Sequence, residues 1–504
     1  MTVSRSLPVL GAAPETRSHA VFPVAPDPVR PEVGRDARAV RLDIDPIGPA
    51  SGPRIALVTL GCDKNTVDSE RMMAALVGHG ARVSSEVEGA DVVIVNTCGF
   101  IEAAKEQSVG TILEACALKE RGGVRAVVAV GCMVQRYRDD LQREIPEVDL
   151  FMGLTDLQAL VPELRRRDLL PAEDAVPLME RPLRILSSET PHSSFLKISE
   201  GCDHTCSFCA IPLMRGLHRS APLEELVREA RGLGEAGVRE LNIVSQDTTW
   251  YGRDLRRKDR SAPLLPDLLR ALLDGTDVDW YRLFYMYPSG LTHELVELLA
   301  EGSTRREGPR LVPYLDVPLQ HGSDRMLAAM RRPERRATIR ERVGWLRDAV
   351  PGLTLRTTVI VGHPGETDDD FQELLDLLEE MAFDRVGAFT YSPEEGTRAA
   401  SMADPVPASL AKERLEELMD VQRGISFDRN LDHVGRVRTV LVDRLVDDDP
   451  EHGAQGRTEG QAPEVDGVTN LLADGALAGV APGAMVDVEI VDALEYDLVG
   501  RVVA

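Results

Sequence analysis

Short runs of valine and isoleucine alternate with helical patterns along most of this chain, and that alternation limits the folds open to it. The first such runs are Ile55–Leu60, Val92–Thr97 and Ala126–Val130, each long enough for a strand buried on both faces. Helical patterns lie between them at Asp68–Val77 and Ala103–Lys119. Strands separated by helices predict an α/β domain with a parallel sheet, which we place at residues 53–164.

A second alternating region follows a proline-containing linker at residues 165–190. Its helical patterns include Leu223–Ala236 and Asp369–Met381. Its candidate strands are Phe195–Ser199, Glu240–Ser245, Trp280–Phe284, Tyr314–Val317, Thr354–Val361 and Arg385–Thr390. Repeated strand–helix units over residues 191–429 predict a complete or partial parallel (β/α) barrel.

The two ends of the chain have a different texture. After a last helical pattern at Ala408–Phe427, short apolar runs are separated by Gly, Asp and Pro. These runs are Val437–Asp443, Gly467–Leu472, Met485–Ala493 and Asp497–Val503. They predict a small antiparallel β-barrel at residues 430–504, similar to an OB fold. Residues 1–52 are rich in Pro, Ala and Arg without an apolar period, which predicts a disordered extension.

Seven cysteines stand in a chain with no predicted membrane span and no secretory pattern at its N-terminus. We therefore expect a cytoplasmic protein, in which clustered cysteines serve metal or redox chemistry more often than disulfides. Cys202, Cys206 and Cys209 are spaced C-x3-C-x2-C after the first predicted barrel strand. Three thiolates on one loop can hold three corners of a [4Fe–4S] cluster and leave one iron open for S-adenosylmethionine (SAM).

The alternative for this motif is structural zinc, which usually takes four ligands from paired elements. His204 lies inside the loop, but no fourth residue follows at the spacing of a zinc finger. The motif therefore favours the iron–sulfur cluster.

Three of the remaining cysteines follow predicted strands of the first domain. Cys62, Cys98 and Cys132 stand at or just beyond the carboxyl ends of three consecutive strands. Those ends meet at the edge where open α/β sheets bind ligands, so a second cluster is predicted there. Each cysteine could instead be a small buried apolar residue. That alternative suits Cys116, which shares an apolar helical stripe with Ile112.

The cysteine motif with Phe208 before its last cysteine resembles the radical SAM superfamily. Across residues 53–504 the chain further resembles the methylthiotransferase family, which joins an N-terminal cluster domain, a radical SAM domain and a TRAM domain. The resemblance is closest to members that modify a ribosomal protein. Matching segments include 59–70, 95–103, 198–212, 245–252 and 314–321. Asp63 and His363 depart from the family pattern; we interpret Asp63 as a slight electrostatic change and His363 as a packing substitution.

The resemblance implies which residues contact SAM. A glycine-rich turn in Val359–Glu366 looks like the SAM-binding turn of such enzymes, and other candidates follow earlier strands. The expected contacts are Gln246, Asp247, Gln320, Gly362 and Glu366. The resemblance gives no catalytic side chain beyond the six candidate cluster ligands.

The resemblance also implies a two-stage reaction. One SAM methylates a sulfide at the Cys62/Cys98/Cys132 cluster, and a second SAM is cleaved to a radical at the other cluster. The radical takes hydrogen from the β-carbon of an aspartate in small-subunit ribosomal protein S-twelve, which then receives the methylthio group. A small electron-donor protein is the expected partner. Such a C–H bond is a poor target for general base catalysis, which explains the need for these cofactors.

Charge bears on the substrate. The formal net charge is −25, and residues 430–504 hold 15 acidic residues and 5 arginines, a net of 5 − 15 = −10. That balance should repel tRNA and attract a basic protein, although it could simply serve solubility. The alternatives are a tRNA adenosine methylthiotransferase with the same clusters, and a non-catalytic iron–sulfur sensor. Deletion of residues 430–504 is expected to leave SAM cleavage intact, because all six candidate ligands lie upstream.

Overall fold

The structure is a computed structural model that describes residues 31–34, 37–42, 46–174, 176–187, 190–303, 310–446, 449–473, 477 and 479–503. Packing divides the chain into two units. The first comprises Met1–Ser187, Glu200–His204 and Ala210–Arg219, and the second comprises Ser188–Ser199, Thr205–Cys209 and Ser220–Ala504. In the described part of the chain, no helix has both the length and the apolar character needed to cross a membrane.

The first unit is built on a parallel sheet. Its strands are β1 (Val40–Arg41), β2 (Arg54–Thr59), β3 (Arg82–Ser84), β4 (Val92–Thr97), β5 (Ala126–Gly131), β6 (Leu150–Met152) and β7 (Ile185–Leu186). Its helices up to residue 187 are α1 (Asp63–Gly78), α2 (Glu102–Glu120), α3 (Cys132–Glu144) and α4 (Leu160–Arg166). Five strands form one sheet in the order β3-β2-β4-β5-β6 with parallel pairing throughout, as the alternating pattern predicts.

Helices cover both faces of this sheet and bury separate apolar cores. Met72 and Leu76 of α1 pack on one face, and Ile112 and Cys116 of α2 pack on the other. Cys116 is 4% exposed in that second core, as its apolar stripe predicts. The three-residue strands β3 and β6 were not predicted, because runs so short carry no readable period.

The predicted N-terminal extension contains the short strand β1, which pairs in parallel with β7. Residues 1–30 of that extension lie outside the described residues. The domain boundaries drawn from the sequence, at 53–164, 191–429 and 430–504, stay predictions.

The central region supplies eight strands and nine helices among the described residues. The strands are β8 (Ser193–Lys197), β9 (Ser199–Glu200), β10 (Arg219–Ser220), β11 (Glu240–Val244), β12 (Trp280–Leu283), β13 (Leu311–Asp316), β14 (Thr354–Val361) and β15 (Arg385–Thr390). The helices are α5 (Ile211–Arg215), α6 (Leu223–Glu235), α7 (Arg253–Arg256), α8 (Leu265–Gly275), α9 (His293–Ser303), α10 (Asp324–Ala329), α11 (Arg336–Ala349), α12 (Asp368–Met381) and α13 (Ala408–Leu431). Six parallel strands form an open sheet in the order β15-β14-β13-β12-β11-β8, which is the predicted partial barrel.

The C-terminal region is a closed five-stranded barrel, ordered β16-β17-β18-β20-β19. Its strands are β16 (Val437–Leu445), β17 (His452–Thr458), β18 (Thr469–Leu472), β19 (Met485–Ala493) and β20 (Leu498–Val502). The sequence predicted four of these strands and missed β17. That strand reads His-Gly-Ala-Gln-Gly-Arg-Thr, without alternating apolar residues, because two glycines and the buried Arg457 replace them.

Candidate functional site

Three cysteines lie at one edge of the first unit's sheet. Cys62 precedes α1 and is exposed, Cys98 follows β4 directly and is half-buried, and Cys132 begins α3 and is 5% exposed. The strands before them, β2, β4 and β5, are neighbours that run in the same direction. The structure therefore brings together the three cysteines that the sequence placed at equivalent strand ends.

Glycines allow this close approach. Gly61 has φ of +95°, and a Cβ there would lie 2.7 Å from Cys98 Cβ and 2.8 Å from Cys98 Sγ. A side chain at position 61 would thus displace Cys98. Gly131, next to Cys132, has φ of +104° and passes equally close to Thr97. The turns carrying the cysteines are in van der Waals contact, and only glycine fits both the space and the backbone angle.

The thiols influence one another electrostatically. Burial raises the pKa of Cys98 and raises the pKa of Cys132 to about 12, and the charge of Cys62 raises both further. Arg215 acts in the opposite direction on both groups. Without metal these two thiols are therefore protonated at neutral pH, so metal binding must displace protons from them.

The donor set distinguishes between kinds of metal centre. Within the described residues, no three His, Cys, Asp or Glu side chains surround a position suited to one metal ion. A mononuclear zinc site needs its donors around a single atom. A cubane cluster binds each thiolate through a different iron, so its cysteines need not converge on one point. Three neighbouring thiols at one sheet edge are a donor set that a cubane cluster could use.

Asn65 is a site residue that sequence reasoning missed. Its side chain is fully buried, and Nδ2 donates to the carbonyl oxygens of Leu60 at 2.6 Å and Thr97 at 3.3 Å. Its Oδ1 lies 3.9 Å from Cys132 Sγ. Asn65 therefore joins the ends of β2 and β4 to the third cysteine. Its only signal in the sequence is a polar residue three positions after Cys62, which resembles any residue in the first turn of a helix.

The second cysteine motif lies in the loop before α5, where all three cysteines are half-buried. In the second unit, Cys209 N donates to the Cys206 carbonyl oxygen at 3.3 Å, which makes a tight turn. Ser207 within this turn is buried; its backbone nitrogen donates to Met330 O at 3.0 Å, and its carbonyl accepts from Ala399 N at 2.8 Å. The turn carrying two of the cysteines is therefore held from two sides.

His363 contacts this turn in addition to packing against the ring of Tyr391, at 5.3 Å between ring centroids. The ring is fully buried, and Nε2 lies 3.2 Å from the hydroxyl oxygen of Ser207. Burial lowers the pKa of His363, so the ring is neutral and can share one hydrogen with that hydroxyl. The other departure from the family pattern, Asp63, has its charge matched by Lys64 at 3.2 Å.

The expected SAM contacts lie at the carboxyl ends of strands in the six-stranded sheet, where barrel enzymes place their active sites. Gln246 and Asp247 follow β11, and Asp247 accepts hydrogen bonds from Thr249 N at 2.9 Å and Oγ1 at 2.6 Å. Gln320 has φ of +81° and pairs through its backbone with β14. Gly362 has φ of +79°, and a Cβ there would lie 2.6 Å from Ala411 Cβ.

Glu366 has partners of its own within the protein. Its side chain is 0% exposed and accepts hydrogen bonds from Gly362 N at 2.9 Å, Arg414 Nη1 at 2.7 Å and His321 Nε2 at 3.3 Å. Burial opposes its ionisation, but His321, Gly362 and Arg414 together hold the pKa of Glu366 below its usual range. Glu366 thus fixes the glycine turn through hydrogen bonds inside the protein, and its contact with SAM stays a prediction.

Replacing Glu366 with glutamine should lower the free energy of unfolding by about 3 kcal/mol, because Arg414 would lose its buried anionic partner and keep only the exposed Asp368. Chemical denaturation followed by circular dichroism measures the change. The matched control is Glu379→Gln on α12, which is exposed and should change stability by less than about 0.5 kcal/mol. Equal stability of the two variants would contradict this structural role.

Comparison with known proteins shows which protein family the chain belongs to. Family models match residues 54–153 (Uncharacterized protein family UPF0004), 196–378 (Radical SAM superfamily) and 434–503 (TRAM domain). A relative from Anaeromyxobacter sp. (strain K), named ribosomal protein uS12 methylthiotransferase RimO, is 46% identical over 90% of this chain and 93% of its own length. A relative of the same name from Cytophaga hutchinsonii is 42% identical over 89% of this chain and 98% of its own length.

Among solved structures, the chain is similar to the radical S-adenosylmethionine methyltransferase TsrM from Kitasatospora setae. The TM-score is 0.47 at 16% identity, over 68% of this chain and 77% of that one. The relatives' identity, at well above 30% over nearly their full lengths, is what assigns the family. This chain belongs to the RimO-type methylthiotransferase family and is a radical SAM methylthiotransferase that uses a [4Fe–4S] cluster and SAM.

Proposed function

We propose that the chain adds a methylthio group to the β-carbon of an aspartate in ribosomal protein uS12, the S-twelve protein of the small subunit. The observation that carries this proposal is the 46% identity to a relative of that name across nine-tenths of the chain. Because the substrate is a ribosomal protein, we place the reaction in the cytoplasm. A small electron-donor protein would supply the electrons.

Two cysteine sets would hold two [4Fe–4S] clusters. Cys202, Cys206 and Cys209 would hold the cluster that binds SAM, and Cys62, Cys98 and Cys132 would hold the second. When bound, the cluster at Cys202, Cys206 and Cys209 would supply the electron that cleaves SAM, and the cluster at Cys62, Cys98 and Cys132 would carry the sulfur to be transferred. The sheet edge of the first unit orients its three thiols, and the Ser207–His363 hydrogen bond fixes the turn of the other set.

The protein's part in SAM binding falls to the strand ends of the six-stranded sheet. We propose that Gln246, Gln320 and the backbone of Gly362 face the bound SAM, since each lies at or just beyond a strand's carboxyl end. Asp247 and Glu366 would shape the same surface indirectly, because their carboxylates already accept hydrogen bonds from neighbouring turns. This division of roles separates direct contacts from positioning residues.

The C-terminal barrel favours a basic protein over tRNA as the substrate. Two of its five arginines are paired inside the protein: Arg457 with Glu240 and Asp443, and Arg438 with Glu459 at 3.0 Å. Exposed acidic side chains remain, among them Asp487 and Glu489 on alternate positions of β19. Phosphate binding needs a basic face, whereas this barrel presents mainly anions.

The test is a comparison of two purified substrates. Enzyme reconstituted anaerobically should add a methylthio group to uS12 and none to tRNA, as measured by mass spectrometry of both. A uS12 variant without the reactive aspartate is the control. Modified tRNA with unmodified uS12 would overturn the assignment and favour the tRNA adenosine methylthiotransferase.

Neutralising Asp487 and Glu489 together should slow association with uS12 by about threefold at low salt. The difference should vanish as ionic strength rises beyond roughly 0.15 M, where the screening length is about 8 Å. Stopped-flow or surface-based kinetics measures it. The control variant replaces Glu379 and Glu413, which are exposed on α12 and α13, and should associate at the parental rate. Asp447 and Asp448, which belong to an acidic run in the sequence after β16, lie outside the described residues.

A further inference from the structure

A buried arginine lies beside the first cysteine site. Arg215 is the last residue of α5 and is 2% exposed. Helix α5 packs on α3, and Ala210 and Met214 share an apolar cluster with Cys132. The helix that directly follows the second cysteine motif in sequence therefore carries a guanidinium group to the first motif's third cysteine.

The guanidinium has three partners in the first unit. Nη1 donates to Glu200 Oε1 at 2.7 Å and lies 3.3 Å from Asp68 Oδ2, and Nη2 donates to Asn65 Oδ1 at 2.6 Å. The same Asn65 oxygen is the one that lies 3.9 Å from Cys132 Sγ. A continuous path of polar contacts thus runs from Arg215 to the third thiol.

Arg215 at the end of this path carries a positive charge. Burial alone lowers the pKa of Arg215, but Cys132, Glu200, Asp68 and Cys62 raise it well above its ordinary value, so the group stays a cation. One buried cation thus faces two carboxylates and the cysteine sulfurs. A buried anion without a compensating cation is costly, and three thiolates on a cluster form such an anion.

We propose that Arg215 is a positioning residue for the cluster at Cys62, Cys98 and Cys132, compensating its negative charge and fixing Cys132 through Asn65. The inference rests on the proposed function, which places a cluster at these cysteines. Reduction adds an electron to the cluster, so a nearby cation stabilises the reduced form and raises the reduction potential. Asp68 and Glu200 should lower the reduction potential instead, because they pair with the same guanidinium and add negative charge beside it.

The experiment uses the full chain with Cys202, Cys206 and Cys209 replaced by alanine, so that only the cluster at Cys62, Cys98 and Cys132 contributes to the signal. After anaerobic reconstitution, iron is counted and the potential is measured by redox titration followed by electron paramagnetic resonance. R215Q should lower the equilibrium constant for reduction of the cluster about tenfold, which is a shift of −59 mV in the reduction potential for one electron. D68N and E200Q should shift the potential in the positive direction, and R215K should stay close to the parent.

Potential shifts of opposite sign in R215Q and D68N distinguish this role from a merely structural one. The control is R184Q, which breaks the buried pair between Arg184 and Glu70; Glu70 lies on α1, as Asp68 does. This variant should lower stability without changing the reduction potential. If the potential of D68N shifts in the same direction as that of R215Q, or if neither potential shifts, the inference about Arg215 is overturned while the proposed function stands. If R215Q does not fold, the positive shift expected of D68N decides. A parent that takes up no iron would overturn the proposed function and this inference with it.

Discussion

Replacing Cys62, Cys98 and Cys132 together by alanine should remove about half of roughly eight iron atoms per chain and abolish methylthio transfer, while 5′-deoxyadenosine still forms. The expected division follows from the fold, because these three thiols lie at one edge of the five-stranded sheet and none comes from the motif at Cys202, Cys206 and Cys209. Iron analysis, chromatography of the nucleoside and mass spectrometry of uS12 measure the three quantities.

Two further variants sharpen that experiment. Cys116→Ala should leave the iron content unchanged, because Cys116 is buried in the apolar core under α2. Replacing Cys202, Cys206 and Cys209 should abolish both nucleoside formation and transfer. Loss of SAM cleavage in the triple variant, despite iron still bound at Cys202, Cys206 and Cys209, would show that the two sites do not divide the work as proposed.

The fold was largely predictable because its strands are local apolar runs, separated by helical patterns in the two parallel sheets and by turn residues in the barrel. The convergence of Cys62, Cys98 and Cys132 followed from parallel topology alone, since the carboxyl ends of neighbouring strands share an edge. Strand β17 was not predictable in this way. Two glycines and the buried Arg457, which pairs with Glu240 outside the barrel, interrupt the apolar alternation that would have marked it as a strand.

The second layer of the site was hidden from the sequence. Arg215 is a single basic residue after an apolar stretch, and Asn65 is an ordinary polar helix residue; only tertiary contacts bring both to Cys132. The hydrogen bond of His363 to Ser207, beyond its expected packing role, was likewise not predicted. Period and spacing report on strands, helices and ligand sets, whereas side chains that orient ligands from a distance leave no periodic signal.

The C-terminal barrel is tied to the six-stranded sheet by buried charge, which the sequence did not reveal. Glu240 at the start of β11 is fully buried between Arg282 at 3.0 Å and Arg457 of β17 at 2.6 Å. Nearby, Tyr314 of β13 donates to Asp466 at 2.8 Å. Apolar contact continues the interface, where Leu441 and Ala462 join a cluster that includes Trp280 and Phe284. The expectation that residues 430–504 could be deleted without loss of SAM cleavage therefore does not follow.

Arg457→Gln should lower the free energy of unfolding by about 3–5 kcal/mol, because Glu240 would stay buried with half its compensation lost. The matched control is Arg438→Gln, whose partly exposed pair with Glu459 should contribute less than about 1 kcal/mol. Urea denaturation of both variants measures the difference. Burial opposes ionisation of Glu240, but Arg457 and Arg282 outweigh it and hold its pKa below the usual value.

The stability that ionised Glu240 contributes to the parent should therefore be present above about pH 4.3, the ordinary pKa of glutamate. It should be lost as the pH falls through the lower pKa of Glu240 in the folded protein. In Arg457→Gln that acid-side loss should shrink, because less of the stability depends on an ionised Glu240. Removing residues 430–504 leaves Glu240 and Arg282 without Arg457, and Tyr314 without Asp466, at once. That truncation should lose the cooperative melting transition and SAM cleavage together. A truncated chain that melts like the parent and still forms 5′-deoxyadenosine would show that the barrel is a separable attachment.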